Sequence, residues 1–330
     1  MDRRTFLRTT GVATAGVATA GCLGELMGGD EFPDGSVEVL VPFDEGGGSD
    51  VIVRQMADPL SEELGTTIEV NNVPGAGAMR GIGQFLNEDP DGHTISKFNP
   101  LTTSIQAMIE PPDFEMTDLE GLATIGFNAL VVIGNADENI DGLDDLVGRY
   151  EDEEFETIGG LGVNYLVHAT FFQELYGMPW DRYIQYSGAG PINEAIASGE
   201  VPAAITSDAG AASAVESGDA DVIAVLTTQG SEVFPDAETV VDQGYDEIDF
   251  VGQVTRSMWV PPETPDDRVD ILTEAVETTI ESDTMQDWAD ESGNPMVYDG
   301  PENANDTLES IWEEIPELVD IDELRQEAGD

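Results

Sequence analysis

The chain has 330 residues, 40% of them hydrophobic, which is enough for one large domain or two ordinary ones with a proper core. Against 69 Asp and Glu stand 11 Lys and Arg, a formal net charge of −58, and such a field excludes nucleic acid and anionic lipid as partners in dilute salt. The acids are spread along the whole chain, only one lysine (Lys97) is present and the core-forming residues are kept, a composition suited to concentrated salt. There the Debye length falls to about 3 Å and self-repulsion is screened, so the charge reports a halophilic habitat rather than a partner.

At the start, Arg3-Arg4-Thr5-Phe6-Leu7 precedes a weakly apolar run over 11–21 that ends in Ala20-Gly21-Cys22. Paired arginines, a short apolar region and small residues before a cut site are the pattern of an export signal. The RRTFL core resembles a twin-arginine signal, and Thr19-Ala20-Gly21-Cys22 resembles a lipobox. Residues 1–21 are therefore read as a signal, Cys22 as a lipidation site on the extracellular face of the membrane, and 22–35 as a flexible linker. The run is too short for a transmembrane span, which needs ~20 apolar residues. Cys22 is also the only cysteine, so no internal disulfide forms.

The body opens with a strand over 37–43 that breaks at Gly46-Gly47-Gly48, and Ser49-Asp50 then begin a segment with helical spacing to residue 64. Two readings stand side by side. The turn is an anion cradle, with glycines admitting a ligand to the main chain and the helix dipole favouring negative charge; or it is an ordinary connection with Ser49 as N-cap. Pro59 is expected to kink or divide the helix, and Gly65 to end it. A second strand over 66–71 leads to a second glycine-rich turn over 72–78, a helix over 80–87, turn chemistry at Pro90-Asp91-Gly92, and a strand over 93–98. Strands alternating with helices at this spacing give an α/β fold with parallel β-α-β units.

A short helix over 104–109 follows, and the apolar stretch 122–134 carries the chain from one domain into a second. Beyond a helix over 143–150, a strand over 156–158 feeds a third glycine turn, 159–164, ahead of a helix over 165–176. A strand over 183–186 feeds the fourth, 187–191, ahead of a helix over 192–198; further strands cover 203–207 and 222–227. Helix N-termini from two domains can converge on one anion in a cleft built from backbone donors. The Pro-rich turn 260–265 introduces helices over 266–281 and 306–315 that return to the first domain, and the tail after Pro316 reads as polar and loosely held.

Signs of catalysis are missing. His93 and His168 are the only histidines and sit in different loops, no HxxxH or HExxH spacing occurs, and neither G-x-S-x-G nor a Walker lysine is present. With 69 acids, carboxylate pairs arise by chance and read as solvated surface. No metal site, cofactor or enzyme activity is expected.

In order and rough spacing, VPFDEGGGSDVIVR, VNNVPGAGAMRGIG, DPDGHTI, IQYSGAG with ASGEVPAAI, and WVPPETP resemble the solute receptors of tripartite tricarboxylate transporters, the TctC or Bug-like family, over about 37–314. The resemblance implies a two-domain periplasmic-binding-protein-like clamshell (type II-like), each lobe a mixed sheet flanked by helices. Lobe I would comprise 36–125 and 255–330, and lobe II 126–254. It further implies a monomer that closes on a small carboxylate, a di- or tricarboxylate or an acidic amino acid, and delivers it to a membrane permease. Carried over, the ligand loops are Phe43, Gly46, Gly47, Gly48, Ser49 and Asp50, then Pro74, Gly75, Ala76 and Gly77. In lobe II they are Gly160, Gly162 and Asn164, then Tyr186, Gly188 and Ala189, with Ser207-Asp208 after a later strand. Ala78 stands where a further glycine is common and Val163 where a small hydroxyl residue is frequent, with Asn164 as its replacement. Asp50 is expected to cap its own loop or to meet a cationic amine, Arg54 to pair with Asp50 one turn on, and Trp259 to line the cleft mouth or the core. His168 falls two residues later than the family's usual histidine and is expected to be packed or solvated. The other classes weighed are a binding protein of an ABC or TRAP importer or a sensory system and, below these, an exported enzyme.

Overall fold

The computed structural model describes residues 32–329, so the expected signal and Cys22 lie outside the described residues. Nine strands are seen among them: β1 (Val37–Val41), β2 (Ile68–Asn72), β3 (Thr94–Phe98), β4 (Glu120–Asn135), β5 (Thr157–Leu161), β6 (Arg182–Tyr186), β7 (Ala203–Ser207), β8 (Ala220–Val225) and β9 (Gln253–Val260). The helices are α1 (Gly48–Leu64), α2 (Met79–Phe85), α3 (Pro100–Ile109), α4 (Gly142–Glu151), α5 (Leu166–Glu174), α6 (Ala189–Ser198), α7 (Asp208–Ser217), α8 (Asp249–Gly252), α9 (Asp266–Glu281), α10 (Asp283–Ser292), α11 (Pro301–Leu318) and α12 (Ile321–Gly329).

The strands run in the order β2-β1-β3-β9-β4-β7-β5-β6, with β8 also on β4. The fold is a two-lobe α/β clamshell, and β4 belongs to both lobes. Its first ten residues pair with β9, and the rest with β7 and β8. Almost every β4 side chain is buried, because helices cover both faces, and this is why it reads as one unbroken apolar stretch. On lobe I, β1 contributes Val37, Val39 and Val41 to a core closed by α1, α9 and α10, while Leu40 faces the opposite layer with α2 and α11. In lobe II, α4 and α5 cover one face and α6 and α7 the other.

Several local expectations change. Helix α1 runs unbroken through Pro59, and its N-cap is Gly47, not Ser49. Helix α3 begins at Pro100, whose fixed φ suits a first helical position, and α10 is capped by the Ser282 hydroxyl on the Met285 N–H. The end of the chain is held: α11 continues to Leu318, and in α12 Leu324 is buried and Arg325 Nε donates to the Met108 carbonyl at 3.0 Å. At the other end Phe32 lies edge-on to His93 and under the Arg268 guanidinium, so the last residues of the expected linker pack on lobe I.

Strand direction fixes where the turns point. β1, β2 and β3 are parallel, β9 opposes both β3 and β4, and so β4 runs with β3 out of lobe I. β7 opposes β4, and β5 and β6 are parallel to β7. The C-terminal ends of β1–β3 therefore face those of β5–β7. Phe98 is level with Ser257 and Thr124, and Ser207 with Leu130. The intervening stretch of β4 spans roughly 20 Å at the rise of a strand and forms the floor between the two rows of turns.

Candidate anion-binding cleft

The first turn carries open donors. Gly46 takes φ +80° and Gly47 caps α1 without any side-chain bond. Among the described residues no acceptor takes the N–H groups of Gly48, Ser49 and Asp50. Asp50, 1% exposed, turns away from them: its carboxylate accepts from Gly46 N at 2.8 Å and from Arg54 Nε at 2.9 Å. The Arg54 hydrogen bond holds the Asp50 carboxyl below its ordinary pKa against the opposing effect of burial. Arg54 also donates to Asn72 Oδ1, and Asn72 Nδ2 to the Phe43 carbonyl, so a chain of bonds ties the turn to the end of β2. Phe43 packs on the lobe I core. Both sequence readings of Asp50 and Arg54 within the loop hold.

The second turn is strained and exposed. Ala76 (φ +49°) and Ala78 (φ +82°) sit in the left-handed region, where a non-glycine residue costs about 1–2 kcal/mol. Gly77 lies against Gln106 of α3, where a Cβ would come within 2.3 Å of Cγ.

Beneath the first turn lies a residue that the sequence reading named for its rarity but did not place at the site. Lys97, at the end of β3, is 1% exposed, and its Nζ donates to Ser49 Oγ and to Asn99 Oδ1, each at 2.9 Å. Arg256 on β9 is 7% exposed and donates to Asn128 Oδ1, Asn294 Oδ1 and the Pro295 carbonyl. Burial lowers its pKa to about 10, with Asp208 opposing. Asn128 in turn donates to Asp208 Oδ1 at 3.2 Å, which links the floor to lobe II. In a chain of net charge −58, the buried charges at this edge balance: the cations Lys97 and Arg256 and the carboxylates Asp50 and Asp208, of which Asp50 is taken up by Arg54. The available signal was a single lysine inside the apolar strand TISKF.

In lobe II, Gly162 (φ +54°) donates to the Tyr186 carbonyl at 3.0 Å and accepts from the Tyr183 phenol, which joins the third and fourth turns. Gly160 leaves room for Tyr183, whose hydroxyl would sit 2.3 Å from a Cβ there. Asn164 Oδ1 is buried without a partner. Gly188 caps α6, and the N–H groups of Ala189 and Gly190 find no acceptor among the described residues. The Tyr186 phenol is engaged by Glu200 at 3.2 Å, and burial first, Glu200 second, push its pKa up to about 12. Ser207 Oγ caps Gly210 N, while buried Asp208 accepts from Ala209 N and from the Ser231 hydroxyl.

Two aromatic expectations resolve into packing. Trp259 is fully buried and stacks on Phe98 with centroids 4.9 Å apart. His168 is fully buried with Nε2 2.7 Å from the Val251 carbonyl; burial drops its pKa to about 4, so the neutral ring donates there. A hollow beneath α11, lined by Glu247, Asp249, Asp306 and Glu314 among others, has the opposite sign and repels a carboxylate.

Two lobes whose strand ends face one another across crossing strands, with helix N-termini along both rims, define a periplasmic-type solute-binding protein. The chain belongs to the tripartite tricarboxylate transporter family receptors (TctC), whose family model matches residues 52–315. It is similar to the protein BugT of Bordetella pertussis, 26% identical over 275 residues that cover 81% of this chain and 83% of that one. The fold is shared with a TctC solute-binding protein from Polaromonas, at TM-score 0.79 and 21% identity over 87% of this chain and 98% of the other. It is shared too with MatC from Rhodopseudomonas palustris with bound malate, at TM-score 0.62 and 22% identity over 88% and 99%. Binding proteins of this family are extracytoplasmic.

Proposed function

We propose that the protein captures a small di- or tricarboxylate, or an acidic amino acid, between its lobes and delivers it to the permease of a tripartite transporter. The observation that carries this is the first turn: unclaimed N–H groups at the start of α1 with a buried lysine behind them. Such donors suit an anion, and in a closed cleft they keep their strength in salt. The bound malate of MatC is consistent with that chemistry. On this reading 36–125 with 255–330, and 126–254, close as two bodies. Ligand contacts come from residues 46–49 and 75–77, and from Gly160, Gly162, Asn164, Gly188 and Ala189. The side chains of Asp50, Tyr186, Ser207 and Asp208 already hold partners of their own and act as braces. Closure adds the lobe II donors only when a ligand bridges the gap, so the ligand shifts the equilibrium by its preference for the closed form.

The test is a thermal-shift screen in molar KCl over succinate, malate, citrate, glutamate, adipate, benzoate and sugars. One acid should raise the melting temperature and be recovered unchanged; its chemical conversion would overturn the reading. In Gly47→Val, a side chain is forced toward the Asp44 carbonyl, 3.1 Å from a Cβ there. That variant should stay folded and lose the shift. We also propose export through the twin-arginine pathway and anchoring at Cys22, which a diacylglycerol mass on the mature N-terminal peptide would reveal and its absence refute.

A further inference from the structure

Lys97 is the only lysine in 330 residues, and it is buried. A buried ammonium needs hydrogen bonds and a counter-charge. It has the first: both of its hydrogen-bond partners, Ser49 Oγ and Asn99 Oδ1, are neutral oxygens. Of the charged groups nearby, Arg256 of β9 is itself cationic, and Asp50, next to Ser49 on α1, is bound to Arg54 and Gly46.

The direction of these bonds matters. An ammonium only donates. By taking a lone pair of Ser49 Oγ it leaves the hydroxyl hydrogen to point elsewhere. By taking Asn99 Oδ1 it leaves the Nδ2 hydrogens, for which no acceptor stands among the described residues. Ser49 and Asn99 are both partly exposed at the inter-lobe edge, beside the open N–H groups of Gly48 and Ser49.

We propose that Lys97 sets the polarity of an anion subsite: from behind, it turns Ser49 and Asn99 into outward donors that, with the α1 amides, receive one carboxylate of the ligand and supply its counter-charge. This deepens the receptor reading and rests on it. The subsite then demands an ionised oxygen, and a neutral amide or ester of the same shape is refused. Burial first, and Arg256 second, lower the Lys97 pKa to about 7. An arriving carboxylate provides the missing charge and raises it again, so binding above neutral pH takes up a proton.

Because the chain holds one lysine, protein grown with lysine labelled with carbon-13 at Cε gives a single resonance that reports this residue alone. Its pH titration is followed in molar KCl, without and with the acid from the panel that shifts the wild type. The midpoint should lie near neutrality in the free protein and move up by more than one pH unit with the acid. Lys97→Met should bind that acid at least ~30-fold more weakly, the scale of a lost charge-assisted contact, while its circular dichroism is unchanged. The fully amidated form of the acid, which leaves no ionised oxygen for the subsite, should not bind the wild type. If the acid binds wild type and Lys97→Met within twofold and leaves the lysine midpoint where it was, the assignment is overturned. A Lys97→Met chain that does not fold leaves the decision to the resonance, which needs no variant. If no acid binds the wild type, the receptor reading fails first and this inference with it.

Discussion

The Ser49-Asp50 and Ser207-Asp208 turns share a Ser-Asp pair at the start of a helix that follows a strand, yet they end in opposite electrostatic states. In the second, Ser207 is the N-cap of α7, and Asp208 gathers Ala209 N, Asn128 and Ser231 around a buried carboxylate, with Arg256 one side chain further on. The turn is complete in itself. In the first, Gly47 is the cap, Ser49 has moved inside the helix, Asp50 is turned back onto Arg54, and the cation behind has no counter-charge. The same pair gave a closed structural joint in one lobe and an open donor site in the other. The difference lies in what stands behind each turn: a lysine on β3, or an asparagine on β4.

This contrast can be broken by removing each charge. Asp208→Ala strands Asn128, Ser231 and Ala209 N and leaves Arg256 buried without its carboxylate. A loss of ~3–5 kcal/mol in denaturant unfolding is expected, and an unchanged midpoint would mean the joint is not what holds that edge. Lys97→Met should do the reverse in the ligand-free protein and raise stability. The sign follows from linkage: between the folded pKa of about 7 and the unfolded 10.5, the unfolded chain binds more protons. Wild-type stability therefore climbs with pH across that window, by on the order of 4 kcal/mol, and the variant lacks the climb. Melting curves of the two proteins at pH 6.5 and 9.5 measure it; parallel pH profiles would show that Lys97 carries no uncompensated charge. Smallest is the effect of the two serines. Ser207→Ala loses a cap and ~1 kcal/mol at any pH, whereas Ser49→Ala loses no cap but takes one of two oxygens from the Lys97 ammonium, a loss on the order of 1–2 kcal/mol that fades as pH rises and the lysine gives up its proton. Losses with the same pH dependence would erase the distinction between the turns.

Much of this was legible in the sequence because it is local. Alternation in VEVLV, the glycine punctuation and the long apolar run of β4 announce the fold, and the i,i+4 spacing of Asp50 and Arg54 announces their pair. The rest depends on neighbours distant in the chain. Ser49 looks like a cap until the backbone angles of Gly47 are known. Lys97 looks like a stray charge until β3 is placed beneath α1, and Asn99 and Asn128 carry no motif at all. The tail failed for a related reason: Val319 and Leu324 are sparse among acids, and only their seat against α3 makes them core.

The β4–β9 ladder slips twice, between Gly121 and Ala123 and again between Thr124 and Gly126. The skipped residues, Leu122 and Ile125, are both fully buried in the lobe I core, like two dowels through a plank. β4 is thereby pinned up to Ile125 and taken up by β7 from Leu130; over the four residues between, which begin with Gly126 at φ +150° and include Asn128, it pairs with β9 alone. In the proposed closure this span serves as pivot and charge-bearing floor at once, and a change there would alter the reach of the jaws together with their grip.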